Sequence, residues 1–304
     1  MRKYFINPET SILRAGWRIA GFIVIFIAID GAAIFGIREI LGGLPRTSNI
    51  PLYILAFSAT VAVFIARKYL DKKPMTGLGL KWDRCAFMDI IFGVIISALI
   101  MADMFFLLLW TGMIEFNGLS WWTDSTGPDV SFQMTALPLI FSYFALMVAV
   151  GWWEELVFRG YILQNVAAGA GWIWAIVGTS LLFGFLHYSN PNATLLSSFL
   201  IAILTPILIY GYLKTGQLWL PMGFHLGWNF FQSSIFGFAT SGMTAPSLIS
   251  QTPVGPDWLS GGAFGVEGSI VQIPLLILSL YAIHWWVGKT RAPGQKLMEF
   301  KIEM

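Results

Sequence analysis

The stretch ALPLIFSYFALMVAVGWWEELVFRGYILQNVAAGAGWIWAIVGTSLLFGFLH, residues 136–187, decides the fold. It is apolar almost throughout, yet it carries Glu154, Glu155, Arg159 and His187. An ionisable side chain at the bilayer centre costs roughly 2.5–3.5 kcal/mol on insertion scales. Several such groups in one apolar stretch point to a shared polar site. Two readings of the stretch compete. In the first, one span ends near residue 152 and the next covers about 171–189, which leaves Glu154 and His187 on opposite membrane faces. In the second, a long helix continues to about Val166, turns within Ala167–Gly171 and runs back antiparallel. Glu154 then stands about 15 residues before the turn and His187 about 18 after it, roughly 22 and 27 Å away at 1.5 Å per residue. The hairpin puts both at a similar depth, and it is the reading adopted.

The rest of the chain supports a membrane setting. Of its 304 residues 57% are hydrophobic and only 11% charged, against about 25% charged in soluble domains. The expected fold is all-α: a single membrane domain over 1–304, a polytopic transmembrane bundle of about eight helices. Candidate spans lie near 17–37, 50–66, 85–110, 136–152, 171–189, 193–213, 217–236 and 269–287. The polar residues before Trp17 and the length of the first apolar run argue against a cleavable signal peptide. A single cysteine, Cys85, excludes an internal disulfide and a CxxC metal site, and reads as a small apolar residue at a helix start.

Charge placement sets the orientation. With the N-terminus in the cytoplasm, sixteen of the eighteen Lys and Arg residues fall on inner segments, Arg159 among them. Arg38 and Arg46 are the exceptions, and residues 237–268 carry no Lys or Arg. Both termini are therefore expected in the cytoplasm. The basic block 67–84 is explained by its place between two spans, so no nucleic-acid partner is expected; the lipid bilayer is. Gly77-x-Gly79 follows no strand and makes a weak phosphate loop. Two long loops, about 111–135 and 237–268, hold Trp121, Trp122 and Trp258 and suit an interfacial or lid-like role. Asp30, alone in the first span, suits a helix end, an Arg partner or a functional group.

Three short patterns carry the chemistry. In Glu154-Glu155-x-x-Phe158-Arg159, helical spacing pairs Glu155 with Arg159 and leaves Glu154, about 100° round the helix, without that partner. The plain alternative is an interfacial helix end with solvated charges. Phe183-x-x-x-His187 ends a span, where a lone histidine is commonly structural. His225 and Asn229 share a helix face one turn apart, where an interhelical hydrogen bond is the plain alternative. His284, beside Trp285 and Trp286, reads as interfacial.

With these residues in view, the chain resembles the CPBP family of intramembrane proteases, the CAAX-prenyl endopeptidases and bacteriocin-processing enzymes also called ABI. Its EExxxR motif matches Glu154, Glu155 and Arg159, with Phe158 in the usual place. Its FxxxH matches Phe183 and His187, and its HxxxN matches His225 and Asn229. The run Tyr212–Pro221 is also similar, so that the likeness covers about 136–236, the expected catalytic core. The resemblance implies an endopeptidase acting on a peptide or protein substrate delivered at the membrane of a prokaryotic cell. It implies that Glu154 and His187 activate water, that His225 and Asn229 stabilise the oxyanion, and that Glu155, Arg159, Phe158 and Phe183 support them. No metal or other cofactor is expected on the family's account. A zinc scheme stays open beside it, with Glu154, His187 and His225 as ligands and Glu155 as base. A non-catalytic immunity or scaffold protein of the same family is the runner-up. A proton-relay transporter would call for an inverted repeat, which the sequence does not show.

The orientation predicts a labelling result. In a Cys85→Ser background, a single cysteine at Ser250 should react with an impermeant reagent outside intact cells, and one at Lys72 should not. The reverse pattern would invert the topology. Equal labelling of both would break the span count between them.

Overall fold

Apolar runs of about twenty residues become the long helices of the computed structural model, which describes residues 2–8, 10–45, 49–119, 122–123, 131–132 and 136–291. These are α1 (Ala15–Leu41), α2 (Ile50–Leu70), α3 (Arg84–Trp110), α4 (Leu137–Ala170), α5 (Trp172–Ser189) and α6 (Leu195–Thr215). Then come α7 (Trp219–Phe230, extended by a wider turn over Phe231–Ile235) and α8 (Gln272–Thr290). All six of α1 to α6 are long and apolar enough to cross a membrane; α7 and α8 occupy the last two expected spans without meeting that criterion.

The main correction concerns the span expected at 136–152. The helix does not stop there but runs unbroken to Ala170, because nothing between Gly151 and Ala170 breaks it and the charges find partners inside the protein. The turn narrows to Gly171, whose φ of 87° is a setting glycine adopts freely. The long-helix hairpin is thus the observed arrangement. Arg159 is buried within it and belongs to no inner loop.

Successive helices run up and down. At one end the basic linker 71–83 is tied to three helices. Gln164 donates to Gly77 O (3.0 Å), Tyr212 to Leu78 O (3.1 Å), Trp219 Nε1 to Lys81 O (2.8 Å) and Leu218 N to Gly79 O (3.0 Å). Buried Asp71 joins Arg18 of α1 (3.3 Å) and Arg67 of α2 (2.8 Å), and Tyr161 of α4 donates to it. Asp89 of α3 receives Arg291 and Trp286 Nε1 from the end of α8. Asp83 caps α3 by accepting from Ala86 N at 3.0 Å, which holds its carboxyl below the usual range.

At the other end the structure adds what an all-α reading omits. β1 (Ile114–Leu119) and β2 (Ile249–Pro253) pair antiparallel, with a bulge between Phe116 and Gly118. The two long loops so satisfy one another's backbone groups. Trp122–Thr123 pairs with Ser131–Phe132 in a shorter ladder. Trp258 is exposed; Trp121, Arg46, Lys296 and Lys301 lie outside the described residues, as does the side chain of Trp122. Asp30 Oδ1 has no hydrogen-bond partner among the described residues.

Small residues let the central helices touch. A Cβ on Gly93 of α3 would stand 2.5 Å from Phe224 N, and one on Gly223 of α7 would run into the carbonyl of Ile90. Ser97 Oγ bridges the seam, donating within hydrogen-bond range of both Gly93 O and Phe224 O. Gly184 of α5 likewise abuts the Ser198 carbonyl of α6, which fixes the neighbouring Phe183. Overpacking such a contact costs about 1–3 kcal/mol. Gly223→Ala should therefore lower the melting temperature in detergent. Gly178→Ala, whose Cβ meets open space, should leave it unchanged or slightly higher. An equal response of both variants would contradict the seam.

Candidate active site

Glu154 ends the regular part of α4, and Glu155 opens a segment over Glu155–Ile162 whose turns are one residue wider than those of an α-helix. Such π-helical inserts are rare and concentrate at functional sites. Every residue of this segment is buried. The small Gly160 admits Leu218, whose Cδ1 would lie 3.2 Å from an added Cβ.

Glu155 is the centre of the site. Its Oε1 forms an ion pair with Arg159 Nη1 at 3.0 Å and accepts from His225 Nδ1 at 2.8 Å. The carboxylate side chain is fully buried and the arginine side chain 1% exposed. The pair with Arg159 follows the expected i, i+4 spacing. The bond to His225 was not expected: it turns Glu155 from a support of α4 alone into a tie between α4 and α7.

Phe183 explains the aromatic members of the motifs. Its ring lies under the Arg159 guanidinium, with the carbon 4.3 Å from the centroid, a favourable placement for a desolvated cation. Phe158 meets it edge-on at 4.9 Å, and the rings of His187 and His225 stand at 4.6 and 6.4 Å. One side chain on α5 thus orients groups from α4, α5 and α7.

The tautomers follow from the partners. His187 Nδ1 lies 2.7 Å from Phe183 O. A carbonyl only accepts, so Nδ1 carries a proton, and in the neutral ring Nε2 is the acceptor. His225 Nδ1 donates to Glu155 by the same logic, and its Nε2 faces Glu154 Oε2 at 3.6 Å. That oxygen of Glu154 has no closer hydrogen-bond partner. Asn229 follows one turn after His225; its carbonyl accepts from Ser233 Oγ at 2.6 Å.

Glu154, His187, His225 and Asn229 all line one cavity of about 340 Å³. Phe158 and Phe183 form part of its wall, while Glu155 and Arg159 stand behind it. Among the described residues no three His, Cys, Asp or Glu side chains stand together as a metal-ligand set. Elsewhere, His284 bonds to Tyr210 through Nδ1 at 2.7 Å, and Cys85 is a half-buried free thiol. Both lie outside the cavity lining.

One carboxylate on the wall went unread in the sequence. Glu267, in a short turn at Val266–Gly268, lines the same cavity. Its signal was faint: with Asp257, it is one of two ionisable residues in the stretch 237–268.

Residues 136–231 match the family model described as Type II CAAX prenyl endopeptidase Rce1-like. The matched stretch spans α4 to α7 and holds all three motifs, in agreement with the CPBP resemblance. No curated protein and no solved structure matches the chain.

Removing one partner of a buried charge pair costs about 3–5 kcal/mol. Arg159→Ala should accordingly reduce folded yield and lower the melting temperature, since it leaves Glu155 buried with only His225 beside it. Unchanged yield and melting in that variant would show that Arg159 does not hold the fold.

Proposed function

We propose that this protein is an integral-membrane endopeptidase in which Glu154 activates the attacking water, His187 orients it, and His225 and Asn229 hold the oxyanion. The observation that carries this reading is convergence. Four polar side chains from three motifs, placed on three helices, line a single cavity inside an apolar bundle. The similarity of residues 136–231 to a CAAX endopeptidase family supports the reaction class.

The roles follow from the geometry. Glu154 Oε2 has no hydrogen-bond donor within normal distance, so it is available to accept a proton from water. His187, with Nδ1–H given to Phe183 O, presents Nε2 in its neutral form as an acceptor for the second proton of the same water. As oxygen attacks the scissile carbonyl carbon, the carbonyl oxygen becomes an alkoxide. The Asn229 amide donates to it in any state. His225 has given its Nδ1–H to Glu155, so it donates from Nε2 only as an imidazolium. Glu154 then passes its proton to the leaving nitrogen. The C–N bond breaks, the second proton of the water passes to His187 Nε2, and a carboxylate and an amine leave. Each step uses groups of this chain alone, and no metal is required.

The outer loop lines the cavity through Thr240, Ser241 and Met243. With the N-terminus in the cytoplasm, as the basic residues suggest, this roof faces the outer side. Leu52, Leu146 and Met147 make the rest of the wall apolar, which suits substrates held by the bilayer.

Purified protein should cleave members of a peptide library in detergent or vesicles. A positioned general base contributes typically 10²–10⁴-fold, so Glu154→Gln should lower kcat by about that factor with unchanged melting. Asn229→Ala should lose about 10²–10³-fold, the range for one oxyanion donor. Activity should persist in strong chelators. Activity lost with chelation and restored by zinc would favour the metal scheme. A wild type without any cleavage would favour the non-catalytic reading.

A further inference from the structure

Glu267 belongs to none of the three motifs and lies beyond the stretch that matches a family. It is 6% exposed. Its Oε2 accepts from Ser241 N at 2.8 Å and Ser241 Oγ at 2.7 Å, and its Oε1 accepts from Trp228 Nε1 at 3.2 Å. A carboxylate offers about four acceptor positions. Three are filled by neutral donors, and the remaining one is on Oε1. No Lys, Arg or His forms an ion pair with Glu267 among the described residues.

The surroundings repeat the imbalance. The cavity wall holds two carboxylates, Glu154 and Glu267, and no Lys or Arg. Arg159 stands behind the wall and is committed to Glu155. His225 faces the two glutamates of the motif. The roof segment 237–268 contains no Lys or Arg at all. A buried ionised carboxylate is costly unless an opposite charge accompanies it. His187, on the same wall, forms no ion pair with Glu267 among the described residues, which leaves the molecule that fills the cavity as the source of an opposite charge placed against that carboxylate.

We propose that Glu267 forms a subsite for a cationic group of the substrate peptide, the ammonium of a lysine or a free α-amine, or the guanidinium of an arginine. The subsite rests on the endopeptidase reading of the same cavity. It lies against the roof, because Ser241 and Trp228 fix the carboxylate between the outer loop and α7. It also disfavours a free carboxylate at that position. Substrate would then enter with its basic group against the roof and its scissile carbonyl against Asn229 and His225.

The test uses full-length protein and one cleavable peptide made in matched forms. Lysine is replaced by norleucine on either side of the scissile bond, and the N-terminus is left free or acetylated, which separates a side-chain cation from an α-amine. Wild type should favour a cationic form by about 10- to 100-fold in kcat/KM, the span of a hydrogen bond between charged groups. Glu267→Gln keeps the shape and acceptors for two of the three donors. It should reduce that preference to about threefold or less, mainly through KM, and retain turnover of the neutral peptide. An equal preference in both proteins overturns the subsite. So does loss of all turnover in a Glu267→Gln protein that melts like wild type, which would make Glu267 a positioning residue. A wild type that cleaves but shows no cation preference overturns it whatever the variant does. Binding of the same labelled peptides to Glu154→Gln protein, read by fluorescence anisotropy, separates the two proposals. Preference for the cationic form there, with no cleavage by wild type, upholds the subsite and overturns the endopeptidase. Equal affinities there overturn the subsite.

Discussion

The buried carboxylate of Glu155 is the constraint on which the rest of the structure depends. It pairs with Arg159 on its own helix and accepts from His225 on another. A fully buried ion pair is costly to desolvate and gains from each further partner. Here His225 donates to Glu155 Oε1, and Phe183 lies against the guanidinium. The cost of burying charge is thereby converted into a geometric requirement: α4, α5 and α7 must meet at this depth or leave an ion unpaired. The widened turns after Glu154 fit the same requirement, since they begin at the residue that makes the tie. The groups proposed to react then need no support of their own. Glu154 precedes the tie by one residue, His187 follows Phe183 by one turn, and Asn229 follows His225 by one turn.

Close packing serves the tie. α7 carries His225 between Gly223 and Gly227, and each glycine lies against backbone atoms of α3. Side chains there would push α7 away and lengthen the bond to Glu155. Between helices in an apolar medium, short-range packing and hydrogen bonds replace the hydrophobic drive. The glycine seam and Ser97 supply both at the point where position matters most.

Much of this was legible in the chain. The costly charges in an apolar run announced the site, and helical spacing gave the Glu155–Arg159 pair. Counting residues on either side of Gly171 put Glu154 and His187 at similar depth. Other features were out of reach for physical reasons. The bond from Glu155 to His225 joins residues 70 apart, and nothing local to either specifies it. The widened segment has no proline or other break to mark it. The ribbon of β1 and β2 pairs two loops across 135 residues at Asn117 and Thr252, in sequences that read as polar connections. Arg159 was counted with the inner charges because a buried arginine and a snorkelling one look alike until its partner is seen. Glu267 was passed over because its significance comes from the fold of a glycine-rich loop, which returns it to a cavity made by other helices.

That last point separates the chemistry from the choice of substrate. The groups proposed to act on the peptide bond all fall within residues 136–231, the stretch that matches a family. The wall around them does not. Asn49, Leu52 and Leu55 come from the start of α2, and Thr240, Ser241, Met243, Thr244 and Glu267 come from the loop over 237–268. Gly242 is seated on the Pro191 carbonyl, and its amide donates to Phe264 O at 2.8 Å, so the roof is held in one shape and anchored close to His187. Chains with the same three motifs would share the proposed reaction and still differ in what they admit, because the residues on the rest of the cavity wall are free of the constraint that Glu155 imposes. The same division explains why a motif-level likeness names a reaction class and leaves the substrate open: the size of the cavity, its apolar walls and the charge of its roof are written outside the motifs.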